Sequence, residues 1–330
     1  MQKSFLKGLA IHVSILMISN SDVIRTLEDI KKGRIIGATS ITIASLEAIK
    51  TYAASLTLKE PVGFAKQLFN CCDLFSKEQP LNVPLMSTIQ YLNHKMASAI
   101  DKNVDVEALK KVVINSVASC IKSIKESIDK VGEVGAHLID DGDVIMTHAC
   151  STTVLSMLVK AQQMGKKFEI IVTETRPEFH GRLLAMALAD FGIPVTLIID
   201  CAHRLFMEKT TKVFLGAVAI SMKGDVLGKI GTSAIALAAH EARVGVYIAA
   251  SIHKFILEFS FFDELSNTGM NPSIVFDMNE AKRLGIEVKN PAHDVTPHEY
   301  VRLIVTERGV IPPQKVSFIV REIYEGERGI

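Results

Sequence analysis

The sequence predicts an α/β protein: a helical N-terminal domain, residues 1–140, followed by a doubly wound parallel-sheet domain, residues 141–330. Three observations carry that expectation. Apolar side chains recur every three or four residues up to about residue 140, the period of amphipathic helices. After Gly142 the pattern changes to short apolar, β-branched runs. Most of those runs alternate with helix-patterned segments, as strands do in a parallel sheet covered on both faces. A chain of 330 residues has room for one large or two ordinary domains.

The first twenty residues, MQKSFLKGLAIHVSILMISN, place lysines ahead of an apolar run, a little like a secretory leader. They lack a small-residue cleavage site and His12 interrupts the run. A helix, or an extension upstream of a start near Met17, is expected there instead. Next, SDVIRTLEDIKKG offers an N-cap, then Val23, Ile24, Leu27 and Ile30 on one face, then Gly33 as a stop. GATSITIASLEAIKTYA continues in helical register. The longest element spans about Val104 to Ile139, with Val106, Leu109, Val113, Val117, Cys120, Ile124, Ile128 and Val131 forming one stripe.

Strands are expected at DVIMTH (143–148), EIIVTE (169–174), VTLIID (195–200), VFLGAVAI (213–220) and VGVYIAA (244–250). Helices are expected at 151–164, 180–191 and 232–243, with Gly192 and Pro194 marking the exit of the second. The segment 290–313 carries Pro291, Thr296 and Pro297 before a short helix, then a turn at Gly309, and is expected to form a rigid C-terminal wrap.

Composition narrows the classes. With 48% hydrophobic and 22% charged residues the chain is globular rather than disordered. A net charge of +1 supplies no global field toward nucleic acid or anionic lipid, so neither is an expected partner. Beyond the first twenty residues no run approaches the roughly 18 apolar residues of a membrane span. Five cysteines without C-x-x-C spacing argue against a disulfide framework or structural zinc, and imply reduced thiols and a cytoplasmic location. No metal spacing links His148, His180, His203 and His240, and no cofactor is expected.

In open parallel sheets ligands bind beyond the carboxyl ends of the strands, where polar residues cluster here. GKIGT puts Gly231 and Thr232 at a helix start, where free N–H groups favour an anion, and Lys229 adds a point charge suited to phosphate. An ordinary turn with Thr232 as N-cap fits the same residues. The spacing is not that of a Walker A loop. In TETRPEFHGR (173–182), Arg176 either forks onto a phosphate or pairs with Glu174 or Glu178 to shape the loop. Cys150 ends a strand and precedes a helix start, a position that lowers a thiol's pKa, the more so beside a protonated His148. A buried structural cysteine is the other reading.

Taken together, TETRPEFHGRLLA, GIPVTLIID, GAVAI, KGDVLGKIGTSAIALAA and NPAHDVTPHEYVRLIVTERGVIPP resemble, in this order, the translation initiation factor 2B alpha/beta/delta superfamily, from about Ile24 to Glu322. That superfamily also contains ribose-1,5-bisphosphate and methylthioribose-1-phosphate isomerases. The resemblance implies a Rossmann-like C-terminal domain and a homodimer or higher oligomer. It also implies an isomerase pocket in which a cysteine and an aspartate move protons on the first two carbons of a sugar phosphate. The cysteine matches Cys150 in THACSTT. Arg176, Lys229, Gly231, Thr232 and the helix-start pair Gly37 and Ala38 match phosphate-binding positions.

Three expected positions depart. The aspartate of a GADAI-type motif is Val218, the asparagine before the turn lysine is Gly228, and an arginine before Gly37 is Ile36. Valine neither gives nor takes a proton, and losing acid catalysis costs roughly 10²–10⁴ in rate. Asp200, Asp225 or Glu174 are candidate substitutes. The expectation is therefore a non-catalytic, regulatory subunit with a remnant pocket for a sugar phosphate or nucleotide, and the alpha subunit of initiation factor 2 as partner. The alternative is an active sugar-phosphate isomerase using Cys150 and an unrecognised base.

Overall fold

The computed structural model describes residues 20–257 and 269–327. The expectations for the leading segment up to residue 19 lie outside the described residues. The chain divides into two compact units, the first ending at Glu126 and the second beginning at Ser127.

The first unit is helical: α1 (Ser21–Lys31), α2 (Ala38–Ser55), α3 (Pro61–Glu78), α4 (Val83–Asp101) and most of α5 (Val106–Ala136). Asn20 caps α1, its side chain accepting from the amides of Asp22 and Val23. Gly37, at φ +80°, starts α2, and the carbonyl of Ala38 accepts from Thr42 Oγ1 and from Asn82 Nδ2, both at 2.8 Å. Leu46, Ile49, Phe64, Leu68, Phe75, Leu85 and Leu92 are wholly buried. On α5 the buried stripe includes Val113, Val117, Ile121 and Ile124. It passes over Ile121 rather than Cys120, which is only half-buried.

The second unit holds β1 (Val144–Thr147), α6 (Thr152–Gln163), β2 (Glu169–Thr173), α7 (His180–Asp190), β3 (Val195–Ile198), α8 (His203–Phe206) and β4 (Lys212–Gly216). There follow β5 (Ala219–Ser221), β6 (Val226–Lys229), α9 (Thr232–Glu241), β7 (Gly245–Ala249), β8 (Phe255–Ile256), α10 (Met278–Leu284), β9 (His293–Thr296), β10 (Leu303–Thr306), β11 (Gly309–Ile311) and α11 (Val316–Glu327). The main sheet has the order β11-β10-β7-β4-β1-β2-β3 and is parallel except for the β10–β11 hairpin. Its strands are apolar on both faces. Ile145, Ile170, Val172, Phe214 and Tyr247 enter one core, while Met146, Ile171, Val213, Leu215 and Val246 enter the other. This pattern agrees with a helical region followed by a doubly wound parallel sheet.

Two segments differ from expectation. VFLGAVAI is not one strand: β4 ends at Gly216, and the chain re-forms as β5 in a second sheet of order β8-β5-β6-β9. The break falls where Gly216 passes Ser151 so closely that a Cβ there would lie 2.6 Å from the serine side chain. The expected short helix after Pro297 forms as a 3₁₀ turn, His298–Tyr300, but the segment 290–313 is not a wrap. β9 joins the second sheet, and β10 and β11 extend the first. The β-branched run LIVT gives β10 two buried faces that its flanking prolines mask in the sequence.

Candidate functional site at the strand ends

The order of the main sheet sets β4 between β1 and β7, so the residues just beyond their carboxyl ends converge. Beyond β1 the chain runs His148, Ala149, Cys150 and Ser151, and Ser151 caps α6 by accepting from Val154 N. Ala149 takes φ +60°, and its amide donates to Thr175 Oγ1 at 2.9 Å. Thr175 and Phe179 also stand at positive φ, +63° and +59°. Three left-handed residues that are not glycine, in two adjoining loops, are strained backbone of the sort that collects at functional sites.

Asp200 holds the loop after β2. Its Oδ1 accepts from Thr175 N at 2.7 Å and its Oδ2 from Arg176 N at 2.6 Å. The exposed Arg176 guanidinium lies 5.2 Å from the centre of the Phe179 ring. The arginine that pairs with Glu174 is instead Arg182, which meets it at 2.5 Å and stacks on the same ring at 3.8 Å. Asp225, the third suggested substitute acid, accepts from the amide and Nδ1 of His298. All three carboxylates named from sequence are thus engaged in holding loops.

His148 is almost wholly buried. Its Nε2 lies 2.8 Å from the carbonyl of Ile230 and its Nδ1 lies 2.5 Å from Thr173 Oγ1. A carbonyl only accepts, so Nε2 carries the hydrogen. Nδ1 then accepts from the threonine. Burial lowers the histidine's pKa, so the ring is neutral and does not acidify Cys150. Burial also raises the Cys150 thiol, contrary to the expectation of a helix-start thiolate. The raised value keeps the thiol protonated at the site.

Lys229 ends β6 and points at Glu178, with which it forms a close ion pair, and at Met270 Sδ, 3.4 Å away. His180 Nε2 approaches the same carboxylate at 3.6 Å. At the start of α9, Gly231 takes φ +101° and Thr232 Oγ1 donates to the carbonyl of Lys229 at 2.5 Å. Thr232 is therefore not the N-cap of α9. Asp294 fills that role from β9: its Oδ2 accepts from the amides of Gly231 and Ser233 at 2.8 and 3.1 Å. Its Oδ1 is buried without a hydrogen-bond partner, as is His293 Nδ1. Burial pushes Asp294 up to about 6 and His293 down to about 4. Gly228 leaves room for Thr232, whose side chain would stand 2.6 Å from a Cβ there. An asparagine at this position would displace that threonine.

The structure thus brings Cys150, Arg176, Lys229, Gly231 and Thr232 to one rim of the main sheet. Gly37 and Ala38 belong to the first unit. Two roles escaped the sequence: Glu178 as the counter-ion of Lys229 and Asp294 as the cap of α9. Lys254, which follows β7, is 5% exposed and donates from Nζ to the carbonyl of Ala217 at 2.6 Å. That carbonyl belongs to the peptide joining Ala217 to Val218.

The chain belongs to the initiation factor 2 subunit family, whose match spans residues 34–313. Among its relatives, the ribose 1,5-bisphosphate isomerase of Thermococcus kodakarensis is 38% identical over 303 residues, 91% of this chain and 94% of that protein. The 5-deoxyribose 1-phosphate isomerase of Moorella thermoacetica is 31% identical, covering 92% and 90%. The crystal structure of the translation initiation factor eIF-2B of Pyrococcus horikoshii aligns with a TM-score of 0.76 at 28% identity, over 90% of this chain and 98% of that one. These relatives overturn the expectation of a non-catalytic, regulatory subunit. Proteins similar over nine-tenths of the chain are named as isomerases, and the departures at Val218, Gly228 and Ile36 do not outweigh that. No helix among the described residues is long and apolar enough to cross a membrane.

Proposed function

We infer that the protein is a sugar-phosphate isomerase that converts an aldose 1-phosphate, in the first instance ribose 1,5-bisphosphate, to the ketose phosphate. The observation that carries this reading is the similarity, over 91% of the chain, to an isomerase of that substrate. The chemistry at the strand ends supports it. Opening the ring breaks the bond from C1 to the ring oxygen, which gains a proton. C2 and its hydroxyl each lose one, and C1 gains one. The reaction needs one group that serves the oxygens and one that serves the carbons. Cys150, a protonated thiol at the rim, suits the oxygens: it gives its proton to the ring oxygen and recovers one from the C2 hydroxyl.

Lys229 and Arg176 supply positive charge for phosphate. Glu178 pairs with Lys229, and a phosphate bound there competes with the carboxylate for that lysine. The protein is also proposed to self-associate at the β3 edge of the main sheet. Leu197 on β3, Ile199 just after it, Met186 on α7 and Leu205 on α8 stand between 46% and 74% exposed, an apolar surface suited to a partner.

Turnover of ribose 1,5-bisphosphate, followed as ketose formed, tests the activity. The wild-type protein is expected to turn over, and Cys150→Ser to lose roughly 10² or more in kcat. Turnover unchanged by Cys150→Ser would remove the thiol from the chemistry.

A further inference from the structure

We propose that Lys254 is the group that serves the carbons, taking the place of the aspartate that the family resemblance puts at position 218. The proposal rests on the isomerase reading and goes beyond it by naming the base. Lys254 lies in the turn between β7 and β8, at the carboxyl end of the strand beside β4. Its Nζ reaches the peptide directly before Val218. The register of β5 with β8, Ile220 opposite Phe255, sets Lys254 beside Ala219. Across β4 from it, Gly216 is packed on Ser151, the neighbour of Cys150. The stretch 216–218 thus has the thiol's loop on one side and the amine on the other.

The amine lacks what a structural lysine ordinarily has. Among the described residues no carboxylate pairs with it, and its one partner is a neutral carbonyl. Buried charges are otherwise paired. Burial pushes its pKa down to about 8, so a share of the molecules carries a free amine near neutral pH. An aspartate at 218 would hold that amine as an ammonium. With valine there, the amine itself can accept a proton. Val218 therefore both removes one base and releases another.

The proton account closes. Cys150 protonates the ring oxygen as the bond from C1 breaks. The Lys254 amine takes the proton from C2 as the C1–C2 double bond forms, giving an enol phosphate. The C2 hydroxyl then returns a proton to the Cys150 thiolate, and the Lys254 ammonium delivers its proton to C1. The product is the ketose with its phosphate retained on a methylene carbon, and both side chains end as they began.

The test uses the full chain with ribose 1,5-bisphosphate as probe. Lys254→Met and Lys254→Arg are expected to lower kcat by roughly 10²-fold or more, while calorimetric affinity for the substrate changes only a few-fold. In Lys254→Ala, small primary amines should restore turnover, and the restored rate should rise with amine basicity. Adding Val218→Asp to Lys254→Met should recover part of the activity. Melting temperatures of each variant separate chemistry from folding. Wild-type turnover with Lys254→Met within three-fold of it would overturn the assignment and leave the isomerase reading standing. So would amine rescue that is indifferent to basicity, because it would report a filled cavity. Absence of turnover in the wild type would overturn both.

Discussion

Cys150 follows a left-handed alanine and precedes the cap of α6, and its environment is dry enough to keep the thiol protonated. Lys254 is the complementary case, a base made by the same desolvation. Its stability effect has a definite sign. The folded pKa is depressed from 10.5 to about 8, so the contribution is fully present above the unfolded value and lost as pH falls through the folded one. The shift corresponds to about 3 kcal/mol. Urea unfolding of wild type and Lys254→Met, compared at pH 7 and pH 10.5, should show wild type gaining most of that amount relative to the variant at the higher pH. An unchanged difference would mean the amine is solvated. None of this is legible at position 218 alone, where the sequence shows an aliphatic residue in place of an acid. The amine lies 37 positions from the carbonyl it meets.

At the scale of elements, helices and strands with strong periodicity were readable, because each carries its own apolar pattern. The pairings that make the site were not. Glu178 meets Lys229 across 51 positions and Asp294 meets Gly231 across 63, and β9 pairs antiparallel with β6 only after α9, β7, β8 and α10 have intervened in the chain. The pattern GKIGT shows a helix start and a lysine, but it does not show that a carboxylate from β9 already occupies two amides. Gly181 illustrates what the fold adds. A Cβ there would stand 1.8 Å from the carbonyl oxygen of Thr173, so α7 sits on the end of β2 only because position 181 has no side chain. Gly181→Ala should cost roughly 1–3 kcal/mol in urea unfolding through overpacking. It should also lower turnover by shifting the loop of Arg176 and Glu178. A neutral effect on both would show that α7 can slide freely.

For the whole molecule, the family was visible in the ordered motifs and the helical region ahead of a parallel sheet in the change of period, whereas the regulatory reading came from weighing Val218, Gly228 and Ile36 without their spatial neighbours. The exposed apolar side chains at the β3 edge are expected to be covered by a second copy of the chain. Sedimentation should give an oligomer for the wild type and a smaller species for Ile199→Glu with Leu205→Glu, and a monomeric wild type would contradict this. The central claim, isomerase chemistry on a rim without the expected aspartate, is tested most directly by carbon NMR of C1-labelled ribose 1,5-bisphosphate incubated with the protein. The account predicts that the anomeric signal is replaced by that of a phosphorylated methylene carbon, and that this conversion is lost in Cys150→Ser. An anomeric signal that persists unchanged, at concentrations where the same sugar phosphate raises the melting temperature, would contradict it.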